Sequence, residues 1–180
     1  MTDVTIAREN IQIEEVQYRS SVSEAVGTKL GGSINFINER QYDSHTFNLN
    51  GPYKLGEGST GTDGIFPILY NMEIIAYTVF NLTPGSSGVT NVDVHWLSGG
   101  GTDNGSIFSS APSINTTAAA NAYAIKDVKG DIGDKTAGGI ALGTISKTTF
   151  DAGQALRFDL DAGMIGAENC GLIVHFRPRD

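Results

Sequence analysis

Three histidines, one cysteine and a scatter of aspartates are the side chains here best suited to bind a metal or move a proton. His45, His95 and His175 lie far apart in the sequence, and no Gly-x-Ser-x-Gly elbow accompanies them. Nucleophilic catalysis needs a base beside an activated Ser or Cys, and no local motif supplies that pair. Imidazole-bound zinc favours two His at short spacing, which is also missing. His95 and His175 each fall on the polar positions of an alternating strand pattern, where a solvated residue is the ordinary outcome. The single Cys170 excludes an internal disulfide framework and a multi-Cys metal site, and its plain reading is a small buried residue in a late strand.

The aspartates are more ambiguous. Asp131 and Asp134 sit in the Gly-rich stretch 130–139, and Asp159 and Asp161 alternate along one strand face. Oxygen-ligated calcium uses such residues, but no twelve-residue loop of the EF-hand order occurs. Twenty acidic residues make carboxylate pairs inevitable, so glycoside hydrolysis has no specific support. The Gly-rich stretches lack a lysine at phosphate-loop spacing. Tyr42, Tyr53, Tyr70 and Trp96 are the aromatics that a sugar platform would use, although Trp96 falls in register with Val92 and Val94 and so reads as core. The expectation is a protein without catalytic residues, metal or cofactor.

Composition narrows the partners. The chain has 180 residues, a formal net charge of −8 and no run of Lys or Arg, which argues against nucleic acid and anionic membrane surfaces. The first fifteen residues lack a basic segment followed by an apolar one, so no signal peptide is expected, and no apolar run approaches a membrane span. A quarter of the residues are Leu, Ile, Val or Phe, enough for a core. The 23 glycines favour many short strands joined by tight turns over a helical bundle.

These residues must be positioned by β-structure. Residues 1–40 read as an extended arm with one short helix, and 41–180 as the folded domain. In the arm, Ile11, Ile13 and Val16 are apolar points in a polar segment too poor in apolar surface to order itself. Ser21 and Glu24 form a capping box, after which Val22, Val26, Leu30 and Ile34 recur every four residues along one helix face. That helix either caps one end of the domain or packs on a neighbouring copy.

Alternation of period two then takes over. Met72–Leu82 is the longest strand signal and is apolar at both parities, with Ile75, Tyr77 and Val79 on the face opposite Met72, Ile74 and Ala76. A strand apolar on both sides is a strand covered on both sides, and the second cover is expected to be another chain. Val89–Leu97 places Val92, Val94 and Trp96 inward and pairs with Met72–Leu82 as a hairpin or near neighbour. Leu156, Phe158 and Leu160, then Leu172, Val174 and Phe176, mark two further strands. About eight strands punctuated by turns predict an all-β antiparallel sandwich, jelly-roll-like.

The stretch from about 65 to 177 resembles small virion proteins of tailed bacteriophages that carry jelly-roll domains. The resembling residues are Glu73-Ile74-Ile75-Ala76, Gly85-Ser86-Ser87-Gly88-Val89-Thr90, Val92-Asp93-Val94, Gly105–Ser109 with Pro112 beyond, Gly143-Thr144-Ile145, Phe150–Gln154 and Gly171–Val174. The first 64 residues fall outside it. The resemblance implies a structural virion protein assembled in the bacterial host cytoplasm. The expected role is a capsid decoration or cement protein, a homotrimer contacting the major capsid protein or other virion proteins. The alternative is a fibre or tail-associated module that binds a receptor or glycan. The assembly contacts are assigned to Ile11, Ile13, Val16, Val22, Val26, Leu30 and Ile34 of the arm and helix, and to Ile75, Tyr77 and Val79 of the long strand.

Overall fold

The computed structural model describes residues 43–48 and 61–179. The expected arm and helix, with Ile11, Ile13, Val16, Val22, Val26, Leu30 and Ile34, lie outside the described residues. Within them every regular element is a strand, and all pairings are antiparallel.

Two curled sheets face each other. The first has the order β1 (Asp43–Asn48), β13 (Glu168–Pro178), β3 (Met72–Thr83). Beyond β3, the strands β8 (Ala122–Asp127) and β11 (Thr149–Phe150) occupy successive lengths of its far side. The second sheet runs β2 (Gly61–Pro67), β12 (Ala155–Ala162), β4 (Val89–Ser98), then β7 (Ser113–Asn115) and β9 (Ile140–Ala141), with β5 (Thr102–Ser106) also on β4. A small ladder joins β6 (Phe108–Ser110) to β10 (Thr144–Ile145). The all-β sandwich expected from the sequence is therefore present.

The core forms where the apolar parity of each strand meets its opposite. Val92 and Val94 of β4, Leu156 and Phe158 of β12, and Leu172 and Val174 of β13 are all buried. Aromatic rings bridge the two sheets. Phe47 stacks on Phe158 at 4.7 Å between centroids and Phe66 lies 5.5 Å from Phe176, while Tyr77 of the first sheet meets Phe108 of the small ladder edge-on at 5.2 Å. Such pairs contribute beyond their buried area by about 0.5–1.5 kcal/mol. β2 is an edge strand that ends at Pro67, where the missing N–H costs no ladder bond.

Two expectations change. First, β3 and β4 are not a hairpin: they belong to different sheets, and residues 84–88 arch across the sandwich. The arch is clamped by Ser86 N donating to Ile165 O (2.8 Å) and Ile165 N donating to Ser87 O (3.1 Å). Gly85 is required there because a Cβ would run into the Met164 side chain. Placed in different sheets, Tyr77 and Val79 of β3 and Val92 and Val94 of β4 share one buried core.

Second, the double apolar parity of β3 has an internal cause. His175 pairs with Ala76 and Phe176 with Ile74, so Ile75 is an extra residue, a β-bulge. The bulge reverses the alternation. Met72 and Ile74 point into the core before it, and Tyr77, Val79 and Asn81 after it. Tyr77 and Val79, expected on a face turned to another chain, are interior residues of this one. Ile75 stays half-buried at the outer surface.

Candidate functional site

The outer faces of the two sheets are chemically opposite. On the second sheet, the register sets His95 of β4 beside Arg157 of β12 and Asp93 beside Asp159. Asp103 of β5 closes over them. Arg157 donates through Nε and Nη2 to Asp159 at 2.9 and 2.7 Å, and through Nη2 to Asp103 at 2.8 Å. Both Asp103 oxygens lie 3.0 Å from His95 Nδ1. Arg157 Nη2, which can only donate, also lies 3.2 Å from the same Nδ1, so this nitrogen sits between an acceptor and a donor. His95 Nε2 then looks toward Asp93 and Asp159, each 3.6 Å away. Asp93 accepts from Val94 N at 2.6 Å and from the Ser106 hydroxyl at 2.5 Å.

Electrostatically this cluster is closed on itself. The Gly105 N–H, then His95 and Arg157, hold the Asp103 carboxyl down at about 2. Hydrogen bonding to Asp159 outweighs partial burial and raises the already high Arg157 value further. Asp161 is pushed up, first by partial burial and then by the charges of Asp93 and Asp159. A retaining or inverting glycosidase needs one carboxyl kept protonated opposite one kept free. Here Asp103 and Asp159 are both bound to one guanidinium, which fastens the β5 hairpin to β12. Among the described residues no group of three or more His, Cys, Asp or Glu is arranged to hold a metal ion. The alternation put His95, Arg157 and Asp159 at polar positions, but the contact of Arg157 with Asp103, 54 positions away, carries no local signal.

The outer face of the first sheet carries the opposite chemistry. The pairing register lines up Thr46, Ile173, Thr78 and Ile125 across four strands, and beside them Gly171, Phe80 and Tyr123. Tyr123 is 57% exposed and Ile132, on the following loop, 58%. His175 is half-buried and lies 2.9 Å from the Thr78 hydroxyl, and burial lowers its pKa. The Asp127 carboxylate at the end of β8 accepts the N–H groups of Lys129, Gly130, Ile132 and Gly133. Although partial burial opposes it, those four donors hold Asp127 at about 2 and tie down the loop that carries Ile132. A hollow of about 270 Å³ opens on this face, with Ile75, Thr78, Ile125, Ile132 and His175 in its lining and Asp131 at its rim.

Of the residues assigned to assembly, Ile75 reaches this surface, whereas Tyr77 and Val79 line the core beneath it. Trp96, read from the sequence as core in preference to a sugar platform, packs against the core with the Lys147 ammonium 4.3 Å from its ring centroid.

No family model matches the sequence, and no curated protein matches it. Among solved structures the chain is similar to the SPBc2 prophage-derived protein YomS, at 15% identity and a TM-score of 0.31, over 77% of this chain and 95% of that one. It is also similar to chains of infectious bursal disease virus. The Gx strain superposes at 13% identity and TM-score 0.34 over 77% of this chain and 32% of that one. The VP2 subviral particle does so at 12% identity and TM-score 0.27 over 78% and 42%. These neighbours are thus a prophage-derived protein and proteins of virus particles, the latter spanned only in part. Superpositions this loose carry no argument about what the chain does.

Proposed function

We propose that the chain is a non-enzymatic structural protein of a tailed-phage particle, working as a capsid decoration or cement protein through contacts with other protein chains. The observation that carries this reading is the outer face of the first sheet. The sandwich already completes its own core, yet Phe80, Tyr123, Ile125 and Ile173 remain in an uncharged row on its outside. A contiguous apolar face on a folded domain marks a surface that another molecule covers. The resemblance of residues 65–177 to jelly-roll virion proteins points the same way. Its motifs fall on the β3–β4 arch, the β5–β6 link and the final strand. The chemistry-bearing residues on the opposite face pair with one another, which suits a structural clasp better than a reaction centre. Cementing by such a face draws on area, at about 25 cal/mol per Å² of apolar surface before the costs of association.

The test is to locate the chain in a reconstruction of the particle that carries it. Density for the sandwich on the outside of the head shell is the expected result. Density confined to the tail or a fibre, or absence from the particle, overturns the reading.

A further inference from the structure

We propose that two copies of this chain pair face to face through the outer surface of the β1-β13-β3-β8 sheet, with Tyr123 of each copy seated in the hollow of the other. The inference deepens the structural reading above by naming the partner and the surface, and it rests on that reading's premise that the chain acts through protein contacts.

The occupant follows from the chemistry of the hollow. Its walls are aliphatic, from Ile75, Ile125 and Ile132, while His175 and Asp131 add polar atoms at the side and rim. A space that is apolar below and hydrogen-bonding at its edge fits a phenol, whose ring is buried while its hydroxyl stays among polar groups. This same face offers one. Tyr123 stands out of β8 at 57% exposure, two residues before Ile125 on the wall of the hollow. That separation is about 7 Å along the strand. A knob and a hole side by side on one surface are what a two-fold contact requires, because each copy then supplies both halves.

Charge selects the same occupant. The chain carries a formal −8, so copies repel unless they meet where carboxylates are few. The opposite outer face holds Asp93, Asp103 and Asp159 and is unsuited to a copy of itself. On the proposed face Glu73 is paired with Lys129 and Arg177, and Asp127 is held by its own loop, which leaves Asp131 in the lining of the hollow as an acceptor for the incoming hydroxyl. A second apolar hollow, lined by Ile65, Pro67, Leu69 and Leu97 at the end of the other sheet, is the internal comparison.

Four strands about 4.8 Å apart and six residues long give roughly 400 Å² per copy, half of the roughly 800 Å² a standard interface buries on each side. The pairing is therefore weak and concentration-dependent in solution, and gains strength where a particle holds copies close together. It closes at two copies, in place of the homotrimer expected from the sequence.

Sedimentation velocity over a concentration series of the full chain tests this, with Tyr123→Glu on the proposed face and Leu69→Glu, 81% exposed, on the comparison surface. Both side chains are exposed, so neither change attacks the core, and circular dichroism verifies the fold. The expected result is a shift from the 19.0 kDa monomer toward twice that mass for the wild type and Leu69→Glu, and monomer throughout for Tyr123→Glu. Wild-type monomer at every concentration, a trimer, or a dimer that survives Tyr123→Glu overturns the inference. A monomer leaves a head location in the particle standing, and absence from the particle leaves a measured dimer standing, so the two failures are distinct.

Discussion

Ile74 and Tyr77 are three positions apart on one strand and are both buried in the same interior. A regular strand would send them to opposite faces. The bulge at Ile75 brings them together, and it lets the Tyr77 hydroxyl donate to Gly143 O at 2.7 Å, joining β3 to the turn before β10.

Tyr77→Phe keeps the ring and removes the donor, leaving the Gly143 carbonyl without that partner in a buried setting. A loss of about 1–3 kcal/mol in unfolding free energy is expected from urea denaturation, with an unchanged m-value. A loss below a few tenths would mean that water already satisfies this carbonyl.

Gly143 is also a packing position. A Cβ there would collide with the backbone from Ser110 to Pro112, whereas Gly138 has open space around it. Gly143→Ala should destabilise by about 1–3 kcal/mol as an overpacked substitution. Gly138→Ala should stay within about 0.5 kcal/mol as a surface change. Comparable midpoints for the two variants would contradict the close approach.

Asp103 and Asp127 predict the acid limb of stability. Both sit at about 2 in the fold against an ordinary value of 3.8. Folded values below the unfolded one mean that their contribution is complete above about pH 4 and disappears as the pH falls through about 2. Asp127→Ala should flatten that limb and speed amide exchange at Ile132 and Gly133, as read by hydrogen exchange. Unaltered exchange at those two amides would show that the loop holds itself without the carboxylate.

Cys170 is fully buried, and burial raises its thiol to about 11. The thiolate is the reactive form, so the native protein should resist Ellman's reagent at pH 8 and react completely in urea. Rapid native labelling would indicate frequent opening of β13.

Much of the sandwich was legible beforehand. Val92 and Val94, Leu156 and Phe158, and Leu172, Val174 and Phe176 alternate with polar neighbours, and each set is buried as that period requires. The glycine stretches marked turns. The polar placement of His95 and Asp159 was readable from the same alternation. The meeting of His95 with Arg157 and Asp103 was not, since those contacts span 62 and 8 residues of chain.

What the sequence determined by itself was which parity of each regular strand is apolar, because that depends only on a local period of two. The tertiary structure decided which strands share a sheet, where β3 slips by one residue, and hence which apolar side chains remain outside. A bulge leaves no trace in an apolar run such as Ile74–Tyr77. Only the partner strand, one residue shorter across the same span, reveals that Tyr77 faces inward and Ile75 does not.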